Sequence, residues 1–312
     1  GLPGLTPELT RNFRDKIVMK NKVRAAGLRV PDYVSCTDRD AVEALLAKHD
    51  RIVIKAVDGQ GSREVTFVNS KDELDAWFAT PNPYFENFEA EEFIDGILYH
   101  VNSIVHNGES ILVASAPYLP NMGNIDFTEG TPFVSVLVTE GDLKARLEDF
   151  SQKALTALGL QNGVTHFECF VKSNGEIVFC ETAVRPGGGG IVLMIEGQYG
   201  VNYNRAGILL EAGRGDLIKI EDRPNEVLGL MGIRQAFAGT VKKAPTSNLF
   251  GEEWIRHARI DAEVGNYVPS ASHCTDFLGV FIFSSPSRND FDTRREELYS
   301  RFYSSLEIQP GA

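Results

Sequence analysis

The sequence predicts an α+β fold, and two kinds of pattern carry the prediction. Alternating apolar runs flank Asn107-Gly108 and Asn174-Gly175. An Asn-Gly pair in that setting is the strongest short-range hairpin signal, because both turn positions need positive φ. Between the strand signals lie helical stripes, as in Leu143, Leu147, Phe150, Leu155 and Leu158, which share one face at a period of 3.6. Strand pairs and helices are mixed along the chain and do not alternate strictly, which sets the class.

Taken in order, residues 12–26 read as a helix, with Met19 and Val23 four apart, Gly27 as a stop and Pro31 beyond it. A second helix covers about 38–48. RIVIKAVDGQGSREVTFV (51–68) reads as strand, glycine loop, strand, and Asp72–Trp77 as a short helix. Residues 89–119 hold a strand, the Asn107-Gly108 turn and a returning strand. The stretch 120–133 is a long Asn, Gly and Pro loop, and such loops in compact domains are commonly functional. Thr139 and Asp142 form a capping-box-like start for a helix to about 158. A hairpin and a glycine run follow, then a helix near 198–213, strands from about 226 and a C-terminal helix at 290–304.

The 312 residues are enough for two or three compact units. A net charge of −12 argues against nucleic acid, which needs a basic footprint, and against anionic membrane surfaces. Anionic ligands would need locally placed Lys and Arg, or a metal. No apolar run approaches the roughly 18–20 residues of a membrane span, and no signal peptide is expected. Cys36, Cys169, Cys180 and Cys274 show no CxxC spacing, so buried free thiols in a reducing, cytoplasmic setting are expected.

The chemistry concentrates in GVTHFECFVKSNGEIVFCETAVRPGGGG, residues 163–190. A two-residue Asn174-Gly175 turn puts Glu168 directly opposite Glu181, with Cβ atoms roughly 4.5–5.5 Å apart. Like charges at that distance destabilise a sheet unless a cation lies between them. Period-2 alternation carries His166, Glu168, Phe170, Phe179, Glu181 and Arg185 to one face, and leaves Phe167, Cys169, Val171, Val178 and Cys180 for the core. An ordinary reading, Glu168 paired with Arg185 on a wetted face, stands beside this one. The four glycines after Pro186 suit close backbone approach and positive φ.

Other elements are weaker singly. Lys55 sits within the apolar strand IVIKAV and needs an anionic partner or a solvent route. The following DGQGS offers backbone amides, around Gly61 and Ser62, that could cradle phosphate oxygens. Lys16 could equally be a solvated helix charge. Glu91, Glu92, Phe93 and Ile94 form a strand entry able to hold a polar ring edge, or an exposed acidic strand end. His100, Asn102 and His166 read first as satisfied structural residues.

In this order and spacing, from about residue 12 to 195, these elements resemble the ATP-grasp superfamily, and more closely its carboxylate–amine ligases such as the L-amino-acid ligases. DK…MK…AAGLRVPDY is similar to the family's opening and IVIKAVDGQGSREV to its second-lysine strand and glycine loop. EEFIDG is similar to its adenine hinge and THFECF…EIVFCETAVRPGGGGI to its metal-binding end. The resemblance implies an ATP-grasp fold in which two α+β subdomains clasp ATP, with a C-terminal α+β extension. The division is 1–30 lead-in, 31–95 lid, 96–215 metal subdomain and 216–312 C-terminal subdomain. It implies ATP contacts at Lys16, Lys55, Gly61, Ser62, Glu91, Glu92 and Ile94, with Phe93 packed on the purine. Glu168 and Glu181 become ligands of one or two Mg²⁺ ions, with Mn²⁺ able to substitute, and Arg185 lies at the reacting centre.

Three departures from the pattern are legible. Leu98 stands near where many relatives carry a ribose-binding Glu, and Ala183 where a third metal ligand often sits. Only fifteen residues precede Lys16, so the family's leading α/β domain is not expected in this chain. The implied activity is an ATP-dependent ligase that forms an amide or peptide bond through an acyl phosphate, with small carboxylate and amine substrates, amino acids first among them. Asp126 or Glu129 would hold a substrate amino group. A phosphotransferase or a catalytically silent ATP-binding module are the alternatives, and a homodimer is a family-level expectation.

Overall fold

The computed structural model describes residues 4–59, 61, 64–119, 130–221, 226–271, 273 and 275–311. Ser62, Asp126, Glu129 and Cys274 lie outside the described residues. The chain opens with α1 (Pro7–Arg11) and α2 (Lys16–Ala25). The helix expected over 12–26 thus begins a turn later, because the Asp15 carboxylate accepts from Val18 N at 3.0 Å and caps it.

A first unit follows as β1 (Tyr33–Ser35), α3 (Arg39–His49), β2 (Ile52–Ala56), β3 (Thr66–Val68), α4 (Lys71–Ala79) and β4 (Phe88–Glu92). Its antiparallel sheet has the order β1-β4-β2-β3. Alternation divides each strand cleanly. Ile52, Ile54, Ala56, Phe88 and Ala90 pack under α3 with Val42, Leu45 and Leu46, which leaves Val53, Lys55, Glu89 and Glu91 for the opposite face.

The central sheet is built from β5 (Ile97–His106), β6 (Glu109–Pro117), β8 (Gly163–Val171) and β9 (Ile177–Ala183), in the order β6-β5-β8-β9. Between β6 and β8 lie β7 (Phe133–Val136) and α5 (Asp142–Leu158). One face of the sheet buries Tyr99, Val101, Phe167, Cys169 and Phe179 against α2 and α5. Each fully buried aliphatic or aromatic side chain there contributes about 1.5–3 kcal/mol. The other face carries Ile104 and Val164 under α6 (Ile191–Tyr199) and α7 (Tyr203–Glu211), and then opens into a cleft. The single helix expected at 198–213 is therefore two helices, separated where Gly200 takes φ 61 and Asn202 caps α7. Likewise α5 starts at Asp142 behind Gly141 with no side-chain cap, so the Thr139 box does not form.

The C-terminal part comprises β10 (Val227–Ile233), β11 (Gly239–Lys243), β12 (Ile255–Ile260), β13 (Tyr267–Val268), β14 (Gly279–Ser285), α8 (Arg288–Ser304) and β15 (Glu307–Pro310). Its main sheet, β12-β14-β10-β7, takes in β7 from the central part, and a small sheet β13-β11-β15 flanks it. Pairing of Phe133–Val136 with β10 ties residues on both sides of position 216 into one sheet. Among the described residues, no helix is long and apolar enough to cross a membrane.

The β8/β9 hairpin reaches the expected pairing by an unexpected route. Its loop is Ser173-Asn174-Gly175, closed by Lys172 N to Glu176 O at 2.9 Å and Gly175 N to Lys172 O at 2.8 Å, with Gly175 at φ 85. Asn174 Oδ1 accepts from Glu176 N at 3.0 Å, which favours this longer loop over a two-residue turn. Near the loop Val171 therefore opposes Ile177, and Cys169 opposes Phe179. A β-bulge at Cys180 then restores Glu168 opposite Glu181. Two single-residue shifts cancel at the carboxylates but not between them. Phe179 goes to the core, while Cys180 turns to the cleft and Val178 pairs with Phe170, the reverse of the faces the simple alternation assigns.

Candidate active site

A cleft of about 1450 Å³ separates the first sheet from the central one. Every described member of the sequence-derived set lines it: Lys16, Lys55, Gly61, Glu91, Glu92, Phe93, Ile94, Glu168, Glu181 and Arg185. Lys16 opens α2, and its Nζ reaches Gly59 O at 2.7 Å and Glu181 Oε2 at 3.0 Å. The glycine loop is thereby tied to the carboxylate pair, with Gly61 packed against the His273 imidazole.

Lys55 points across the cleft face of β2, with Nζ 2.5 Å from Glu91 Oε1. Glu91 also pairs with Lys20, and Lys20 Nζ lies 2.5 Å from Glu89 Oε1. The result is a neutral quartet in which Lys20 and Glu89 are fully buried. Burial alone would protonate Glu91, but the charges and hydrogen bonds of Lys20 and Lys55 outweigh it and hold the carboxyl at about 2. Burial likewise pulls on Lys55, yet the Glu91 charge keeps it well above the ordinary lysine range. The Glu91 side chain is thus committed to the lysines, not to a purine. Glu92 is committed too, to Arg29 at 2.6 Å and to Asp32 N at 3.0 Å. What this segment can offer an adenine edge is its backbone, together with Ile94 and the Phe93 ring. One face of that ring is covered by the Arg51 guanidinium at 3.9 Å.

At the other end, the register of β5 on β8 sets His100 opposite Glu168 and Asn102 opposite His166. Tyr118 donates to Glu168 Oε1 at 2.8 Å, and His166 Nε2 lies 3.4 Å from the same oxygen. Burial would raise the Glu168 carboxyl, but the His166 hydrogen bond and charge and the Tyr118 hydroxyl bring it down to about 2. Glu181 is met by Lys16, and Glu168 by His166 and Tyr118. Arg185, exposed at the mouth, donates to Pro186 O at 2.9 Å and pairs with neither carboxylate, so the surface-pair reading of Glu168 is not what forms. Two facing oxygen donors, flanked by lysines and backbone amides, fit a hard divalent cation completed by phosphate oxygens.

His100 is fully buried, and burial, then the His166 charge, push it down to about 3. The sign follows directly. Below the unfolded value of 6.5 the unfolded chain takes up a proton that the native state refuses, so this contribution to stability is lost as pH falls from 6.5 toward 3. The expected loss is roughly 1.4 kcal/mol per pH unit in that window. Urea unfolding at about pH 7 and pH 5 should show it in the wild type and a smaller loss in His100→Gln.

Sequence reasoning passed over Lys20, although it lies four residues from Lys16 on the same helix face, and Glu89, Glu91 and Lys55 alternate onto one sheet face. It also missed Tyr118, His273 and Thr275, which line the cleft. The two C-terminal residues carry no sequence signal, since nothing local shows that this loop returns to the glycine loop. The expected free thiols are found at Cys36, Cys169 and Cys180, and burial raises each of them, Cys36 to about 12.

Residues 49–193 match the family model described as the ATP-grasp domain. The protein carries an ATP-grasp domain over those residues. Its chain is 24% identical over 271 residues to an L-arginine-specific L-amino acid ligase of Bacillus subtilis, covering 83% of this chain and 63% of that protein. It is 26% identical over 227 residues to an alanine–anticapsin ligase of Bacillus subtilis, covering 65% of this chain and 47% of the relative. The chain thus spans between about half and two thirds of the length of these curated relatives. In three dimensions it superposes on the crystal structure of an L-amino acid ligase from Bacillus licheniformis with a TM-score of 0.75 at 19% identity, over 99% of this chain and 75% of that one. It also superposes on a biotin carboxylase in a β-γ-ATP complex from Campylobacter jejuni, with a TM-score of 0.72 at 17% identity, over 97% and 68% of the two chains.

Proposed function

We propose that this ATP-grasp chain is the ATP-using part of a carboxylate–amine ligase that forms an amide or peptide bond between small acids and amines, amino acids first among them. The observation that carries the reading is the Glu168/Glu181 pair facing across one hairpin, with Lys16 3.0 Å from Glu181 and Lys55 lining the same nucleotide-sized cleft. The ligase names of its relatives support it.

Glu168 and Glu181 would hold Mg²⁺, which when bound supplies charge neutralisation at the phosphates. The backbone at Glu92–Ile94 would hold the adenine edge and the Phe93 ring would pack on it. Lys16 and Lys55 would neutralise phosphate oxygens, and the amides around Gly59–Gly61 would close over the γ-phosphate. A substrate carboxylate oxygen then attacks the γ-phosphorus in line. The bond to the bridging oxygen breaks, and ADP leaves with its electron pair. The acyl phosphate so formed is attacked at its carbonyl carbon by the neutral amine. Arg185 would stabilise the tetrahedral oxyanion, phosphate departs with the C–O bonding pair, and the amine proton passes to solvent. The protein's work is positioning and charge compensation in a site that excludes water.

A screen of amino acids and small acids with Mg-ATP should show ADP and phosphate release that requires both a carboxylate and an amine, with an amide product by mass spectrometry. ATP turnover without any such product across the panel would sink the reading.

A further inference from the structure

The polar groups behind Glu168 form a single hydrogen-bonded line whose direction is fixed at both ends. At the far end the Pro117 carbonyl can only accept, and it takes the Ser135 hydroxyl proton at 2.8 Å. Ser135 Oγ, with its proton spent, must accept from His100 Nε2, also at 2.8 Å. His100 therefore carries its proton on Nε2. Because the ring is neutral, its Nδ1 is an acceptor, and it meets Asn102 Nδ2 at 2.8 Å. The amide orientation has a second, independent support: Nδ2 also points at the Ala114 carbonyl at 3.4 Å, another group that can only accept. Asn102 Oδ1 is left facing His166 Nδ1 at 2.9 Å, so that nitrogen must hold a proton.

His166 is thereby oriented with Nε2 toward Tyr118 and Glu168. Both side-chain contacts of Glu168 fall on Oε1, so among the described residues Oε2 is the oxygen left to a ligand. Ser135, His100 and Asn102 are fully buried and His166 nearly so, so a misdirected donor anywhere in the line costs an unsatisfied buried polar group, about 1–3 kcal/mol. The glycine run rests on the same line. A Cβ on Gly187 would stand 3.0 Å from His166 Nδ1 and 3.1 Å from Asn102 Oδ1, so any side chain there would press on that hydrogen bond.

We propose that Ser135, His100 and Asn102 are positioning residues that, anchored on the Pro117 carbonyl, hold the His166 ring by its Nδ1–H and so turn Oε2 of Glu168 to the bound cation. The last link rests on the metal reading proposed above; the tautomer assignment does not. None of the three touches the cleft contents. They act through His166, and the line ends at the carboxylate.

The test has two readouts. With the histidines labelled with ¹⁵N, side-chain NMR of the wild type without nucleotide or metal should show His100 protonated on Nε2 and His166 on Nδ1. His100 protonated on Nδ1, or His166 bare at Nδ1, overturns the proposal whatever the metal does. The second readout is Mn²⁺ affinity in the presence of ADP, by electron paramagnetic resonance. Asn102→Leu removes the hydrogen bonds to both histidines and to the Ala114 carbonyl and should weaken Mn²⁺ about 10- to 100-fold, the usual cost of losing a group that orients a metal ligand. Metal-free ADP binding should be unchanged. Asn102→Asp keeps an acceptor for His166 Nδ1–H, and His100 can take a proton at Nδ1 to meet the other oxygen, so it should recover most of the affinity. Equal losses in Leu and Asp variants that both melt cooperatively would overturn the positioning role, as would no loss in either. If wild type with ADP fails to bind Mn²⁺, the metal reading falls, and the tautomers alone decide whether the line is set as proposed.

Discussion

Lys20→Met should cost about 3–5 kcal/mol of folding stability, the largest effect expected of any single surface-remote substitution here. Lys20 is fully buried between Glu89 and Glu91. Methionine fills a similar volume but brings no charge, so Glu89 loses its ion-pair partner and Glu91 keeps Lys55 alone. Glu89 Oε2 has no hydrogen-bond partner among the described residues, so the side chain has no second contact there to fall back on. Chemical denaturation should show the loss as a lower midpoint at unchanged slope. Adding Glu89→Gln should recover part of it, since removing both partners of a buried pair is far cheaper than removing one. A Lys20→Met loss below about 1 kcal/mol would show that the quartet is solvated and not a buried ionic network. The quartet also predicts an acid limb. The depressed Glu91 value means its contribution is fully present above 4.5, the ordinary carboxylate value, and is lost as pH falls from 4.5 toward 2.

Glu181→Gln should abolish function while sparing the fold. ATP turnover is expected to fall at least about 100-fold, because a metal ligand is lost and Lys16 loses its anionic partner at the same time. The Glu181 side chain is 30% exposed, and the buried Lys16 keeps the Gly59 carbonyl at 2.7 Å, so the thermal midpoint should stay within a few degrees. Glu176→Gln, at the loop end of the same hairpin and paired with Lys172 at 3.0 Å, serves as the control and should leave turnover intact. Measuring phosphate release and Mn²⁺ affinity with ADP on both variants checks this. Full activity in Glu181→Gln would remove the facing carboxylates from the mechanism.

The carboxylate pair shows both the reach and the limit of reading the chain. Asn174-Gly175 and the flanking alternation are local, so a hairpin joining Glu168 to Glu181 is legible from residue order. The path by which the two meet is not. A three-residue loop and a bulge at Cys180 cancel in register, and the bulge sends Phe179 into the core, where it packs edge-on against Phe167 at 5.4 Å. A buried aromatic contact decided that exchange of faces, and alternation counted along one strand has no access to it. Glu91 fails in the same way. Its position in EEFIDG was readable, but its partner Lys20 arrives from a helix more than sixty residues earlier in the sequence, so the carboxylate turned out to hold a lysine instead of addressing a purine.

By itself, then, the sequence determined the α+β class and the acidic hairpin, through period, turn chemistry and spacing, which are properties of neighbours in the chain. The lysines, glycine loop and hinge were legible through the family resemblance of their motifs. The tertiary structure alone decided which groups neutralise one another: Lys20 with Glu89 and Glu91, Lys16 with Glu181, and the line from Pro117 to Glu168. It also decided that His273 and Thr275 return from the C-terminal part to the cleft. Those pairings span long separations in the chain and are selected by the cost of burying an uncompensated charge or an unmatched donor, a cost that exists only once the elements are packed together.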